Sequence, residues 1–354
     1  MRIAFASTPV GPLGSGVGGG VELTLEILAN GLKKLGHSIE IFAPSGSVLA
    51  GFAVNQIDGT LQTPTQDADR GEPISIAKGS VLENIWDKIW REQDKFDVVL
   101  NFAYDALPMR LTGLFRARVV HLVSMASLTD AMDGVIVETS IRYKAAIAMH
   151  SRAQAESFSG LSPDVRIVGS GVALDNYQFN GSVDGALGFV GRVSAEKGVE
   201  DAVAIAERTG LPLKIWGLLQ DNDHLQRAKS RYPRASVSHE GFVTSAQLGR
   251  VLGQCRALLV TSKWVEAFGN VVIEALACGV PVIAYRRGGP AEIVVDGQTG
   301  FTVEPDNLTQ MAEAVRRIGR IKRADCRAHV TRNYSSESFA RKVENWLLEA
   351  LAAI

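Results

Sequence analysis

The chain has 354 residues, 46% of them hydrophobic, with 37 Lys and Arg against 38 Asp and Glu, for a formal net charge of −1. That length suits about two domains, each with its own buried core. The charge balance gives no electrostatic footprint for nucleic acid, since nonspecific polyphosphate binding needs a basic face, so no nucleic-acid partner is expected, though a local basic group remains at Arg286 and Arg287. Cys255, Cys278 and Cys326 are widely spaced with no C-x-x-C, which argues against a disulfide framework or a zinc site. No run reaches the ~18 apolar residues of a membrane span, and the opening IAFAST is too short for a signal peptide, so a cytoplasmic protein without an integral membrane segment is expected.

In chain order, IAFAST reads as a strand, Glu22 to Leu35 as a helix and SIEIFAP as a second strand. Residues 46 to 78 read as a loop excursion, and 79 to 94 as an amphipathic helix whose stripe of Leu82, Ile85, Trp86, Ile89 and Trp90 faces a core. DVVLNF, VVHLVS, GVIVET and VRIVGS follow as short apolar runs of the kind buried on both faces of a parallel sheet. The Gly- and Asp-rich stretch 172 to 184 is the expected linker. A second series then runs LGFVGR, LKIWG, SVSHEGF, ALLVTS and PVIAY, and a helix from Ser336 to Ala352 closes the chain. The pattern is α/β: two doubly wound Rossmann-like domains, 1 to 172 and 184 to 335, facing each other across a cleft lined by strand C-termini.

The run WVEAFGNVVIEALACGVP holds the densest chemistry. Apolar spacing through Val271, Val272 and Leu276 predicts a helix from Phe268 to Cys278, stopped by Gly279 and Pro281. Its opening N–H groups, around Phe268, Gly269, Asn270 and Val271, have no intrahelical partners and suit a pyrophosphate. Glu266 and Glu274 flank that turn. Eight residues of helix is a rise of about 12 Å, too far for the carboxyl pair of a glycosidase, so they read as two hydroxyl clamps, Glu266 for a sugar and Glu274 for a ribose diol. Gly191, Arg192 and Lys197 follow a strand, and two fixed cations there suit charge growing on a departing diphosphate. Neither this run nor FVGRVSAEKG contains a D-x-D triplet to hold a metal between phosphates, so no metal and no cofactor are expected.

Gly14, Gly16 and Gly19 spell G-x-G-x-x-G with Glu40 about twenty residues on, but in a dinucleotide fold the first glycine follows the strand at once. Here Pro9 to Leu13 intervene and Glu40 lies mid-strand, so a nicotinamide site is not expected. A loop with glycines at 11, 14, 16, 18, 19 and 20 still admits a ligand close to its backbone. Asp105 and Asp130 end strands or open helices, and either orients an acceptor hydroxyl or serves as a cap. Backbone atoms near Trp216, Gly217 and Phe242 are the expected readers of a base.

These residues carry a resemblance. The Glu266 to Glu274 spacing, GGPAEIVVDGQTGFTVEPDN at 288 to 307 and FVGRVSAEKGVEDAV at 189 to 203 resemble the C-terminal half of retaining family 4 glycosyltransferases of the GT-B fold. The resemblance implies that Arg192 and Lys197 hold the diphosphate, and that the leaving phosphate oxygen helps take the acceptor proton, with no carboxylate nucleophile. It also places Gly19 and Gly20 near the diphosphate and donor sugar, puts Gly16 toward the acceptor, and packs helix 336 to 354 back on the N-terminal domain. Where that family has a sugar-contacting histidine after the strand VVHLVS, this chain has Ser124, with His121 inside the strand. GPLGSGVGGGVELT, NFAYD and HLVSMASLTDAMDG are similar to glucosyltransferases that act on tetrahydrobiopterin. The expectation is thus hexose transfer, from UDP-glucose, to a small acceptor such as a pterin. A nucleotide-sugar epimerase on the same fold and a non-catalytic nucleotide-sugar-binding protein are the alternatives.

Overall fold

The computed structural model describes residues 1–16, 19–63, 69–75, 78–183 and 185–353, with backbone alone at 245 and 246. Gly18 of the glycine-rich loop and positions 184 and 354 at the expected domain ends lie outside the described residues. The chain forms two compact units, Met1–Gly171 with Ser336–Ile354, and Val172–Ser335.

The first unit is built on strands β1 (Arg2–Ala6), β2 (Ser38–Pro44), β3 (Val54–Ile57), β4 (Val98–Asn101), β5 (Arg118–Val123), β6 (Ile147–Met149) and β7 (Arg166–Ile167), ordered β3-β2-β1-β4-β5-β6-β7 and parallel throughout. Between them run α1 (Gly20–Lys34), α2 (Val81–Glu92), α3 (Ala106–Leu111), α4 (Asp130–Arg142) and α5 (Arg152–Glu156). Successive residues of a strand face opposite sides of the sheet, and β1 shows both sides covered. Ile3 and Phe5 join a core with Leu25 and Leu28 of α1, whereas Ala4 and Ala6 join one with Leu82, Ile85 and Trp86 of α2. Ser80 caps α2 by accepting from the Glu83 N–H at 3.2 Å. Trp90, expected in the core stripe, is 42% exposed and edges onto Phe115 instead.

The second unit carries β8 (Leu187–Val190), β9 (Leu213–Trp216), β10 (Val237–His239), β11 (Ala257–Val260), β12 (Val282–Tyr285) and β13 (Gly300–Val303), ordered β10-β9-β8-β11-β12-β13 and again parallel. Its helices are α6 (Val199–Thr209), α7 (Asn222–Arg231), α8 (Ser245–Leu252), α9 (Asn270–Ala277), α10 (Pro290–Ile293), α11 (Leu308–Arg317) and α12 (Arg323–Asn333). The last helix, α13 (Ser336–Ala352), packs in the first unit, where Gly31 of α1 makes room for it: a Cβ there would stand 2.6 Å from the Ala340 Cβ.

Two further sequence expectations change. GVIVET is not a strand but the middle of α4, whose N-cap Thr129 accepts from the Met132 N–H at 3.3 Å. A capped turn and a buried face at helical spacing, Met132, Ile136, Thr139 and Ser140, override the β preference of Val and Ile. The strand in that part of the sheet is β6, from AIAMHS, which sequence reasoning passed over. Residues 172 to 183 are not a loose linker either, since Val172 and Tyr177 sit in the second unit's core. Among the described residues no helix is long and apolar enough to cross a membrane.

Candidate functional site

In each sheet the chain winds outward in two directions from a central pair, β1 and β4 in the first unit and β8 and β11 in the second. Loops leaving such a pair diverge to opposite faces and open a crevice at the strand C-termini, where open α/β sheets bind ligands. In the second unit the β8 loop carries Gly191, Arg192 and Lys197, and the β11 loop carries Glu266. The backbone laces these loops together. Thr261 Oγ1 donates to the Gly198 carbonyl at 2.8 Å and the Lys263 N–H to the Glu196 carbonyl at 2.8 Å. Gly198, at φ +66°, has no room for a side chain, because a Cβ would lie 2.1 Å from the Thr261 carbonyl oxygen.

That lacing sets Lys197 against Glu266. The ammonium donates to both carboxylate oxygens, at 2.9 and 2.8 Å, and Oε2 also accepts from Ser262 Oγ and Trp264 Nε1 at 3.1 Å each. Lys197 Nζ stands 5.0 Å over the Trp264 ring. Burial alone would raise the Glu266 pKa, but Lys197 and the Trp264 and Ser262 donors outweigh it and hold the carboxyl below its usual range. The carboxylate expected to face a sugar is therefore already engaged by protein donors. Arg192, the second cation, lies apart from this pair, held by Glu196 at 2.9 Å and Gln220 at 3.1 Å.

Helix α9 opens where the sequence placed an anion site. Its N-cap is Gly269 at φ 93°, and no side chain caps the first turn. Phe268 is 6% exposed and packs its ring on Tyr334. Val271 is half-buried, and the buried Oδ1 of Asn270 has no hydrogen-bond partner. The Gly288–Gly289 backbone presses on this segment. A Cβ at Gly288 would come within 2.6 Å of the Glu266 N, and the Gly289 N–H donates to the Glu266 carbonyl at 2.8 Å. Glu274, about 6 Å further along α9, is 7% exposed and accepts from the Tyr177 hydroxyl at 2.7 Å. Burial pushes its pKa up, against the lowering effect of that hydrogen bond.

Three neighbouring strands end in glycines with positive φ: Gly191 after β8, Gly217 after β9 and Gly241 beyond β10. A Cβ on Gly217 would meet the Gly191 carbonyl oxygen at 1.9 Å, so these two backbones pack directly on each other, whereas a Cβ at Gly241 would meet open space. Phe242 stands beside it, 60% exposed.

The expected acceptor residues of the first unit lie on the segments that follow β1, β4 and β5. Gly16, Gly19 and Gly20 are exposed. The loop before α1 is tied by Glu22, which accepts from the Gly14 and Gly16 N–H groups at 2.9 and 3.2 Å, a contact that sequence reasoning missed. Asp105 caps α3 through the Leu107 N–H at 2.8 Å. Asp130 is exposed and paired to Arg70 at 2.7 Å. Ser124 lies just past β5, half-buried. His121 is fully buried, with Nδ1 3.2 Å from Asn101 Nδ2 and Nε2 2.8 Å from Thr112 Oγ1, so neither ring nitrogen is left for a ligand. Among the described residues no group of three His, Cys, Asp or Glu is placed to hold a metal.

Residues 184–333 match the family model described as glycosyl transferases group 1. A glycogen synthase of Mycobacterium tuberculosis is 36% identical over 137 residues, 37% of this chain and 33% of that protein, and sucrose synthase 6 of Arabidopsis thaliana is 43% identical over 75 residues, 21% and 8% of the two chains. The match thus spans a third or less of these relatives' length. Among solved structures, sucrose-phosphate synthase from Thermosynechococcus elongatus aligns with a TM-score of 0.80 at 18% identity over 100% of both chains. Anabaena HepE in complex with UDP and glucose aligns at 0.76 and 18%, over 99% of this chain and 100% of that one. The fold is that of GT-B glycosyltransferases, two parallel-sheet Rossmann-like domains.

Proposed function

We propose that this chain, with a group 1 glycosyltransferase sequence across its second unit, transfers a hexose from a nucleotide diphosphate sugar to a small acceptor. In this reading the donor is UDP-glucose, the anomeric configuration is retained, no metal is needed, and the reaction takes place in the cytoplasm. The observation that carries the reading is the Lys197–Glu266 pair at the second unit's central strand pair, on the same loop that opens into uncapped α9.

The chemistry follows from the donors present. A lysine ammonium has three protons, and Glu266 takes two of its hydrogen bonds, which leaves one for a phosphate oxygen. The first-turn N–H groups of α9, around Gly269, Asn270 and Val271, supply neutral donors and the positive end of the helix. Arg192 adds a second cation once Glu196 releases it. Fixed positive groups stabilise the leaving diphosphate more than the bound donor, because charge grows there as the sugar bond breaks. Glu266 orients Lys197, and Glu274 accepts from the ribose diol. The Gly191, Gly217, Gly241 row, which carries no side chains, with exposed Phe242 suits the plane of a base. The acceptor is assigned to the glycine-rich loop and strand ends of the first unit, around Gly16, Asp105, Ser124 and Asp130. A reduced pterin is the acceptor that the N-terminal resemblance suggests.

The test is turnover of UDP-glucose with and without a pterin acceptor, with product anomer read by NMR and EDTA in a parallel reaction. Acceptor-dependent release of UDP, an α-linked product and indifference to EDTA are expected. Donor consumed equally without acceptor would replace transfer by epimerisation or hydrolysis.

A further inference from the structure

The Glu274 carboxylate is held by one protein hydrogen bond. Among the described residues Tyr177 alone donates to it, through Oε1 at 2.7 Å. A buried carboxylate with so little support is costly, so its second oxygen calls for a further donor. Tyr177 is fixed from several sides. Its carbonyl accepts from Arg327 Nη1 at 2.6 Å, and the same nitrogen donates to the Ala277 carbonyl in the last turn of α9, also at 2.6 Å. Arg327 Nη2 reaches the Leu174 carbonyl at 3.2 Å, and the Tyr177 N–H donates to it at 3.1 Å. Gly249 of α8 presses from another side, where a Cβ would stand 2.5 Å from the Asn176 carbonyl oxygen. The ring belongs to the second unit's core at 2% exposure, and the phenol oxygen meets α9 from a rigid base.

We infer that Tyr177 is a positioning residue for the donor nucleoside: its hydroxyl fixes one oxygen of Glu274 so that the other accepts from the cis-diol of a ribose. The inference rests on the reading of Glu274 as the diol clamp. Tyr177 touches no ligand and acts only through the carboxylate.

The probes are UDP and its 2′-deoxy counterpart, titrated calorimetrically into the 354-residue chain. Wild type prefers UDP. Tyr177→Phe keeps the ring and its packing and removes only the hydroxyl, so UDP binding weakens about 5- to 10-fold while 2′-deoxy-UDP changes less than about 2-fold, as loss of one oriented hydrogen bond implies. In turnover the donor KM rises and kcat stays within about 2-fold. Glu274→Gln loses the same preference, and Tyr177→Phe added to it changes nothing more, because the inferred route from the hydroxyl to the ligand runs through the carboxylate. If Glu274→Gln loses the preference and Tyr177→Phe keeps it, the role of Tyr177 is overturned while the clamp stands. If Glu274→Gln itself keeps the preference, the clamp reading falls and the inference with it. Thermal melting separates either result from a folding defect.

Discussion

Glu266 and Glu274 lie on one short stretch of chain and answer pH in opposite directions. Glu266 titrates below its usual value, so it contributes stability above the unfolded carboxylate pKa and loses it as pH falls through the lower folded value. Glu274 titrates above its usual value, so the folded state prefers its protonated form and stability is lost as pH rises through that value. Two isosteric changes should therefore diverge at neutral pH. Glu266→Gln strips Lys197 of its counter-charge and lowers stability by roughly 1–3 kcal/mol, whereas Glu274→Gln keeps an acceptor for Tyr177, removes a buried charge and leaves the melting temperature unchanged or higher. Equal losses in scanning calorimetry would contradict both assignments. Lys197→Ala should lower kcat at least ~10-fold with a smaller change in donor KM, since its interaction strengthens as the diphosphate leaves. The sequence made these charged residues legible because charge at a strand end or in apolar company demands a reason. Tyr177 was hidden, as no pattern in GVALDNYQF tells a core tyrosine from a turn residue.

At the scale of elements, β5 carries a fully buried histidine in mid-strand. Burial, with a smaller contribution from Arg118, lowers the His121 pKa from 6.5 to about 3. The unfolded ring gains a proton near 6.5 and the folded ring does not, so stability is intact above that pH and falls by about 1.4 kcal/mol per unit as pH drops from 6.5 toward 3. His121→Gln should flatten this slope in urea unfolding followed between pH 4 and 7, and an unchanged slope would assign the acid sensitivity elsewhere. Helix α9 depends on backbone packing in the same way. Gly288 sits at φ +69° with the Glu266 backbone where a Cβ would go, so Gly288→Ala should shift the 266–268 segment and reduce both stability and turnover. Element reading succeeded where period and punctuation agreed, as at α9 between Gly269 and Gly279. It failed for GVIVET, whose β-branched residues carry a strand preference that the Thr129 cap and the α3 neighbour override in the fold.

Across the whole molecule, two units repeat one strand order outward from a central pair, and the second places its cations and its uncapped helix on the loops that leave that pair, with its glycine row running from β8 to the neighbouring β9 and β10. The α/β class followed from alternation alone, since fully apolar short runs separated by amphipathic helices leave few other architectures. The boundary was less legible. Residues 172 to 183 look like a linker by composition, yet Arg323 and Arg327 of α12 tie their carbonyls into the second unit, through Asn180, Tyr177 and Leu174. The first unit's acceptor residues were proposed from strand-end positions, which locate an edge of the sheet without saying which side chains meet there. The most direct measurement of the central claim is calorimetric titration of UDP into the wild-type protein and Lys197→Ala. The account predicts one site in the wild type and an affinity at least ~10-fold weaker in the variant. A wild type that takes up no UDP, or a variant that binds it equally well, would contradict the claim that this strand-end site holds a nucleotide diphosphate.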